Sequence, residues 1–517
     1  MRRKHVVLVL AVLVVTGVMS VVVGAVSTSS TQAVPAVTPF ALQAPESAFT
    51  ADRASADPIA CQRPAPDNRV STTIHCHTPN DVRAWYGLRP LTAGSTEGDG
   101  QTIVLVDSYG SPTAAEDLGF FARTFGGPAP NFEQVFPIGM PDYKHATGNG
   151  VGQSGPTAAD GWAGEANLDV QWAYAIAPKA HIVLLAVPPA ETQGVQGLPN
   201  LMKAIDWAVG RYPAGTVFSM SFGTDERAFG GGSAKAQFDR FDQTFIAGQA
   251  KGDTFFASSG DDGSTGVIRS HRASTVGSLP DVSYPNVSPY VTSVGGTQLQ
   301  DNWKWVPTTN KPYLADGTRA PAYFAWTADV GGEPVWNEGW LSIATGGGLS
   351  SVYPRPAFQN GVVGVVGDHR GVPDLSWNAA VNGGVLVYHT YFPSIEGPPA
   401  WGVFGGTSAS SPQVAALTAI ANAARKAASK GPIGDLNTVI YGSGFNHASA
   451  FRDIVPQTFG TGIPSGVLDS NRIWDLAADG SLVPDPVTGF ATTGGYDLTT
   501  GWGSPKAAGY IAALVAS

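Results

Sequence analysis

A serine in the stretch "GGTSASSP" (405–412) has the sequence setting of a nucleophile. Ser408 follows a glycine turn and precedes an apolar run with Pro412 near its start, which predicts a helix that begins close to the serine. Backbone N–H groups at a helix N-terminus can hold a developing oxyanion, so a hydroxyl placed there could attack a carbonyl carbon. The same cluster of hydroxyls could also simply cap the helix. The serine therefore indicates catalysis only together with a base.

Two carboxylates in "GEANLDVQWAYAIAP" (164–178) could supply that base. Glu165 and Asp169 are one helical turn apart and share a stripe with Trp172 and Ile176, which predicts that both acids are partly buried. Two buried acids at this spacing share a proton, so one stays ionised while the pKa of the other is raised. Such a pair works as a base in acid, where imidazole is protonated. The alternative is a solvated acidic pair near a helix start.

Nine histidines occur in the chain, and none lies in a motif typical of a triad base. The Gly-x-Ser-x-Gly pattern is also absent, the nearest match being "SMSFG", with Ser219 in place of the first glycine. A serine hydrolase that works at neutral pH with an unrecognised histidine is therefore the alternative enzyme. The alternative outside enzymes is an exported binding protein on an inactive scaffold.

A third acid follows an apolar run in "ASSGDDGS" (257–264). Asp261 would lie at the carboxyl end of a strand, and such ends carry the functional loops of parallel sheets. If its carboxyl group is kept protonated, it can donate a hydrogen bond to an oxyanion. The alternative is an ordinary Asx turn formed by Asp261 and Asp262.

The elements that must position these residues are predicted from runs that are apolar throughout. Such runs are typical of strands covered on both faces, and helical stretches separate them here, so we expect one α/β domain with a parallel sheet flanked by helices. The stretch 297–339 lacks a clear period and is predicted to be an insertion. The predicted strands are 102–107, 181–187, 216–223, 253–260 and 290–296.

The composition narrows the possible partners and the compartment. Only 14% of residues are charged and the formal net charge is -10, which disfavours nucleic acid and anionic membranes as partners. Residues 1–25 combine three basic residues with a long apolar run and a small-residue site, which predicts a signal peptide and a secreted protein. An uncleaved N-terminal anchor is the alternative, because the apolar run is long.

Residues 26–76 are predicted to form a short pro-segment or N-terminal arm ahead of a domain that spans 77–517. The arm is rich in Ala, Pro and Ser and low in hydrophobic periodicity. It carries the two cysteines of the chain, Cys61 and Cys76. Two cysteines that lie close in sequence in an exported protein favour a disulfide over two free thiols.

In combination, these residues resemble the sedolisin family of serine-carboxyl peptidases, whose catalytic domain is similar to an enlarged subtilisin. The motifs occur in the family's order from about residue 77 to the C-terminus: "GEANLD", "SSGDDG", "GGGLSSVYPRPAFQ" (346–359), "RGVPDLSW" (370–377) and "GGTSASSP". The resemblance implies a subtilisin-like fold, with Ser408 as the nucleophile and Glu165 as its base. It further implies that Asp169 holds and relays the proton and that Asp261 is the oxyanion partner.

The same resemblance implies a substrate-binding segment and a calcium site. Ser221, Phe222 and Gly223 resemble the segment whose backbone pairs with an extended substrate, although Phe222 stands where many relatives have Trp. Two segments near the C-terminus, "FRDIV" (451–455) and "TTGGYDLTTGWGSP" (492–505), resemble the calcium site, and oxygen ligands of this kind suit that ion. The implied ligands are the carboxylates of Asp453 and Asp497 and the carbonyl oxygens of Ile454, Thr493 and Gly495.

The function expected from the residues and the resemblance is that of a secreted, monomeric endopeptidase, stabilised by one calcium ion. It would hydrolyse proteins or peptides at acid pH through an acyl-enzyme on Ser408. A tripeptidyl-peptidase is the alternative within the same family.

Overall fold

The computed structural model describes residues 59–63, 72–141, 143, 156–188, 194–230, 233–269, 274–299, 303–307, 322–326, 332–339, 341–391, 400–457, 467–476 and 482–517 of the 517-residue chain. The predicted signal peptide and most of the predicted arm lie outside these ranges. Within them, no helix combines the length and the apolar character that a membrane span requires.

Helices and strands alternate along the described chain. The helices are α1 (Pro79–Trp85), α2 (Ala114–Thr124), α3 (Pro156–Ile176), α4 (Gly194–Arg211), α5 (Ala234–Ala250), α6 (Val363–Val366), α7 (Thr407–Ala427), α8 (Leu436–Ile440), α9 (His447–Ala450) and α10 (Ala507–Ala516). The strands are β1 (Ile59–Arg63), β2 (Thr72–His77), β3 (Thr102–Ser108), β4 (Asn131–Val135), β5 (His181–Val187), β6 (Val217–Met220), β7 (Thr224–Asp225), β8 (Thr254–Ser258), β9 (Thr265–Arg269), β10 (Ser274–Pro280), β11 (Ser283–Tyr284), β12 (Thr292–Thr297), β13 (Trp303–Pro307), β14 (Ala322–Trp326), β15 (Asn337–Glu338), β16 (Ile343–Ala344), β17 (Gly348–Pro354), β18 (His369–Val372), β19 (Leu375–Asn378), β20 (Gly384–His389), β21 (Ala400–Phe404), β22 (Phe451–Arg452), β23 (Trp474–Leu476), β24 (Leu482–Pro484) and β25 (Ser504–Pro505).

A seven-stranded parallel sheet forms the centre of the molecule. Its strand order is β19-β12-β8-β6-β3-β5-β4, and every neighbouring pair is parallel. The five predicted strands are β3, β5, β6, β8 and β12, and all five lie in this sheet, so the predicted parallel sheet is confirmed. The edge strands β4 and β19 were not predicted. In a parallel sheet, the loops that follow the strands meet at one edge, where a site can form.

The two faces of the sheet are covered by separate hydrophobic cores, as successive residues of each strand point to opposite faces. Ile103 and Leu105 of β3 belong to the core that also contains α3 and α7. Val104 and Val106 belong to the other core, with α4 and α5. The alternation along β3 therefore places Asp107, the next residue on the first face, on the side of α3 and α7.

Helices α3 and α7 pack against each other in the first core. Residues 162–176 of α3 are buried all round, as are most residues of α7 over its first three turns. Helix α7 begins after Gly406, whose φ of 99° favours glycine, and Pro412 lies in its first turns. Arg425 and Lys426 in its last turn complement the helix dipole. The buried helix predicted after Ser408 is thus present.

The end of the predicted arm is paired with the main domain. Strand β2 lies antiparallel to β1 and parallel to β20, which pairs in turn with β21. Strand β2 therefore crosses the boundary predicted at residue 77. In the β1–β2 pair, Cys61 is opposite Ile74 and Cys76 is opposite Ile59. The side chain of Cys61 lies outside the described residues, so the disulfide stays a prediction.

The predicted insertion at 297–339 is partly regular. It contains an antiparallel pair of strands, β13 and β14. Trp336, near its end, is fully buried, and its indole N–H donates to Glu338 Oε2 at 2.8 Å. This tryptophan packs the segment against the domain.

Candidate active site

Ser408 is the second residue of helix α7, and its side chain is 5% exposed. The residue at the N-cap is Gly406, which has no side chain, and neither Ser408 nor another local side chain makes the N-cap hydrogen bond. Ser408 is therefore not a capping serine, which removes the simplest alternative to a chemical role. Its position at the positive end of a long buried helix suits a nucleophile whose product carries negative charge.

Glu165 and Asp169 lie in the middle of α3, and both are fully buried. The sequence predicted only partial burial, so both side chains are buried more deeply than expected. The Ser221 hydroxyl donates to both carboxylate oxygens of Asp169, at 3.0 and 2.8 Å. Ser221 directly follows β6 in the segment predicted to bind substrate, so that segment and the acid pair are connected by side-chain contact.

Asp107, at the end of β3, is a third acid of the same cluster and was not predicted from the sequence. One carboxylate oxygen from each of Asp107, Glu165 and Asp169 lies within 4.8 Å of the other two. Asp107 is fully buried, and neither of its carboxyl oxygens has a hydrogen-bond partner in the described part of the chain. The only sequence signal was a charged residue that closes the apolar run "TIVLVD" (102–107).

The turn after Asp107 is held through its backbone. Tyr109 has a φ of 56°, an uncommon value for a residue other than glycine. Its N–H donates to the Val187 carbonyl at 2.8 Å, and its carbonyl accepts from the Tyr143 hydroxyl at 2.5 Å. These contacts fix the strand end that carries the Asp107 carboxyl group.

The pKa values of two acids of the cluster, Asp107 and Asp169, lie above the usual range for a carboxyl group. Burial raises the pKa of Asp107 to about 8. Burial, and then the charges of Asp107 and Glu165, raise the pKa of Asp169 well above its ordinary value, although the Ser221 hydrogen bond lowers it. Carboxylates this close cannot all ionise, so they share protons. The same three oxygens are also close enough together to surround a cation.

Asp261 follows β8 and reaches the start of α7. Its Oδ1 accepts hydrogen bonds from the Thr407 N–H at 2.8 Å and from the Thr407 hydroxyl at 3.0 Å. These two contacts join Asp261 to a residue 146 positions away, next to Ser408. The backbone of the loop is fixed as well, because the Ala344 N–H donates to the Asp261 carbonyl at 3.0 Å. The structure therefore brings Asp261 to the residue before the predicted nucleophile.

The segment 221–223 connects β6 with β7 at the carboxyl edge of the sheet. The side chains of Ser221 and Phe222 are buried, and Phe222 packs in the core with Val106 and Tyr109. Only Gly223 is partly exposed. A segment whose side chains point inward can offer its backbone to an extended chain, as in strand addition.

Three of the described histidines contact groups other than Ser408, and His389 is buried. His5, His145 and His271 lie outside the described residues. Burial lowers the pKa of His389 to about 4. Three others bind partners other than Ser408: the ring nitrogens of His181, His369 and His447 contact Glu133 at 3.4 Å, the Ser350 carbonyl at 2.9 Å and the Ile440 carbonyl at 2.6 Å, respectively.

The predicted calcium ligands are brought together by the pairing of β22 with β25. The Gly495 N–H donates to Asp453 Oδ2 at 2.9 Å, and the Thr493 N–H donates to Asp497 Oδ2 at 2.9 Å. Burial raises the pKa of Asp497 to about 6. The carboxylates of Asp453 and Asp497 thus both contact backbone N–H groups of the loop 493–495, whose carbonyl oxygens are further possible ligands. This all-oxygen set of donors fits calcium.

The loop that carries the predicted calcium ligands Thr493, Gly495 and Asp497 is also attached to the central sheet. The Trp502 N–H donates to the Asp374 carbonyl at 3.0 Å, just before β19 begins. The Tyr496 hydroxyl donates to the Gly371 carbonyl at 2.9 Å. The loop is therefore anchored next to the edge strand of the sheet.

Comparison with known proteins gives consistent matches. The family model described as the subtilase family matches residues 161–438. Kumamolisin of Bacillus sp. (strain MN-32) is 30% identical over 373 residues, which are 71% of this chain and 55% of that protein. Tripeptidyl-peptidase 1 of Homo sapiens is 26% identical over 472 residues, which are 87% of this chain and 67% of that protein. The matched part therefore spans about half the length of kumamolisin and about two thirds of the tripeptidyl-peptidase.

A solved structure of Pseudomonas sedolisin, a serine-carboxyl proteinase complexed with two molecules of pseudo-iodotyrostatin, has the same fold. Its TM-score is 0.57 at 23% sequence identity, with 85% of this chain and 98% of that chain covered. At this identity the likeness concerns the fold.

Proposed function

The chain belongs to the subtilase family and, within it, to the sedolisins, and from this premise we propose that it is a secreted serine-carboxyl endopeptidase active at acid pH. One observation carries the proposal: three buried carboxyl groups, two on α3 and one on β3, lie within 4.8 Å of one another, and α3 packs against α7, whose second residue is the candidate nucleophile. The substrates would be proteins or unfolded polypeptides.

The reaction would be acyl transfer from the peptide to Ser408. The Ser408 oxygen attacks the peptide carbonyl carbon while its proton passes to the Glu165 carboxylate, and Asp169 shares that proton. The Ser408 N–H and a protonated Asp261 hold the resulting oxyanion. The C–N bond then breaks as Glu165 returns the proton to the leaving amine. Water repeats these steps on the acyl-enzyme, releasing the acid product and the free serine.

The acid cluster supports a low working pH. A base works best when its pKa lies near the operating pH, and a carboxylate that shares protons with two neighbours can titrate in the acid range. A histidine would be protonated there and could not accept the serine proton. Asp261 also has to be neutral to donate a hydrogen bond, which low pH favours.

The test is digestion of a denatured protein from about pH 2 to about pH 8, with products identified by mass spectrometry. We expect cleavage that is greatest in acid, fragments of many lengths, and no cleavage by the Ser408→Ala variant. A peptide aldehyde should label the wild-type protein and not this variant. Reading the enzyme's own N-terminus in the same sample locates the maturation site.

Other outcomes identify the alternatives. Activity that rises from about pH 4 to about pH 8 would indicate a histidine base. Products that are mainly tripeptides would indicate a tripeptidyl-peptidase, the activity named in one of the relatives. A protein that is neither active nor labelled at any pH would be a binding protein on an inactive scaffold.

We also propose one structural calcium ion, held by the Asp453 and Asp497 carboxylates and by carbonyl oxygens of the same two segments. The ion would supply positive charge between the two carboxylates. It would also join the β22–β25 pair to the loop that is attached before β19. Its role is therefore in stability.

Chelation of calcium should lower the thermal unfolding temperature of the Ser408→Ala protein, which cannot digest itself. A ligand at 100 times its Kd stabilises the folded state by about 2.7 kcal/mol, so a shift of several degrees is expected. Calorimetry with and without EGTA measures the shift. The Asp453→Asn variant is the control, because it should unfold at a lower temperature and respond little to EGTA. An unfolding temperature independent of EGTA would contradict the calcium site.

A further inference from the structure

The donors and acceptors of the hydrogen bonds between the loop after β8 and the start of α7 can be assigned. Thr407 Oγ1 accepts a hydrogen bond from the Gly260 N–H at 3.0 Å and lies 3.0 Å from Asp261 Oδ1. A hydroxyl has one proton to donate. Because a carboxyl group is its other partner, the Thr407 hydroxyl donates to Asp261 Oδ1, as the Thr407 N–H also does.

These contacts distinguish the two oxygens of Asp261. Oδ1 accepts two hydrogen bonds from Thr407, which suits the carbonyl-like oxygen of a neutral acid. The acidic proton then belongs on Oδ2. Oδ2 lies against Gly406, where a Cβ atom at that position would be only 2.7 Å from it. The proton-bearing oxygen thus faces the backbone that leads into Ser408.

We propose that Thr407 is a positioning residue for Asp261. Its N–H and hydroxyl hold Oδ1, so that Oδ2 carries the proton and presents it to the oxyanion formed at Ser408. The inference rests on the proposed function, because it assigns a supporting residue to the proposed oxyanion site. Thr407 is 1% exposed, so bulk water does not replace its hydroxyl when that is removed.

The test compares two changes at Thr407. Thr407→Val keeps the shape and the backbone N–H but removes the hydroxyl, whereas Thr407→Ser keeps the hydroxyl. Loss of an oxyanion-hole donor costs roughly 100- to 1,000-fold in kcat, and displacement of that donor should cost less. We expect kcat of Thr407→Val to fall about 10- to 100-fold with KM nearly unchanged, and Thr407→Ser to recover most of it.

Thr418→Val is the matched control. Thr418 is a fully buried threonine of the same helix, and its hydroxyl contacts the Val414 carbonyl and the Tyr510 hydroxyl, each at 3.0 Å. This variant should lose stability but keep kcat. Thermal unfolding of each variant shows that it is folded, and Thr407→Ala replaces Thr407→Val if the latter does not fold.

The outcomes separate this inference from the proposed function. Wild-type kcat in Thr407→Val, or equal losses in Thr407→Val and Thr407→Ser, would overturn the role of the hydroxyl. Asp261→Ala tests the oxyanion site itself and should lose at least about 100-fold in kcat. If Asp261→Ala keeps full activity, the proposed oxyanion site is wrong, whatever the Thr407 variants do.

Discussion

Replacement of Glu165 by glutamine should abolish turnover while the protein stays folded. Glutamine has nearly the same size and can occupy the same buried position in α3, but its amide cannot accept the Ser408 proton at any pH. Loss of a general base costs on the order of 100- to 10,000-fold, and we expect a loss of kcat in the upper part of this range. Steady-state hydrolysis of an unstructured peptide at acid pH measures it.

Glu226→Gln is the control for this variant. Glu226 is another buried glutamate whose pKa is raised, mainly by burial, and its carboxylate accepts from Ser350 and Ser351 rather than joining the acid cluster. The change there should affect stability more than kcat. Near-normal proteolysis by Glu165→Gln would refute the assignment of the base.

Raising the pH from about 4 to about 8 should destabilise the folded protein by several kcal/mol. Burial raises the pKa of Asp107 to about 8, of Asp281 to about 7 and of Asp242 to about 6. An acid whose pKa is higher in the folded state than in the unfolded state binds its proton more tightly in the folded state. Its contribution to the free energy of unfolding is therefore complete below the pKa of the unfolded state and is lost as the pH rises through the pKa of the folded state. Each tenfold difference in proton affinity between the folded and unfolded states corresponds to about 1.4 kcal/mol.

Denaturant unfolding of the Ser408→Ala protein at constant calcium concentration measures this dependence. The Asp107→Asn change in the Ser408→Ala protein removes the carboxyl group whose pKa is raised most among these three acids. Asparagine keeps nearly the same side-chain shape. The change should flatten the loss of stability between about pH 6 and about pH 8. A stability that is constant, or that rises across this range, would contradict buried protonated acids.

The central sheet was predictable because its inner strands are covered on both faces and are therefore apolar throughout. The two edge strands lack that signal for different reasons. β4 ("NFEQV") is partly exposed and carries polar residues. β19 ("LSWN") is fully buried but contains polar residues, and its Ser376 hydroxyl donates to the distant Thr500 carbonyl at 3.1 Å.

The candidate site was only partly predictable for a related reason. Glu165 and Asp169 are neighbours on one helix, so their spacing alone places them together. Asp107 joins them only because β3 lies in the middle of the sheet with α3 on its face, and that follows from the tertiary structure. The contact of Thr407 with Asp261 spans 146 residues, and no local pattern in the sequence indicates it.

The burial of α3 has a consequence for how a proton could travel. From 162 to 176 the helix is covered on every side, so neighbouring elements shield the carboxyl groups at its centre from the surrounding solution. In the proposed reaction, the proton taken from the serine would then remain inside the protein until the departing amine carries it out. Bulk pH would then set the resting protonation of the acid cluster, whereas within one turnover the proton would be exchanged among the serine, Glu165 and the departing amine.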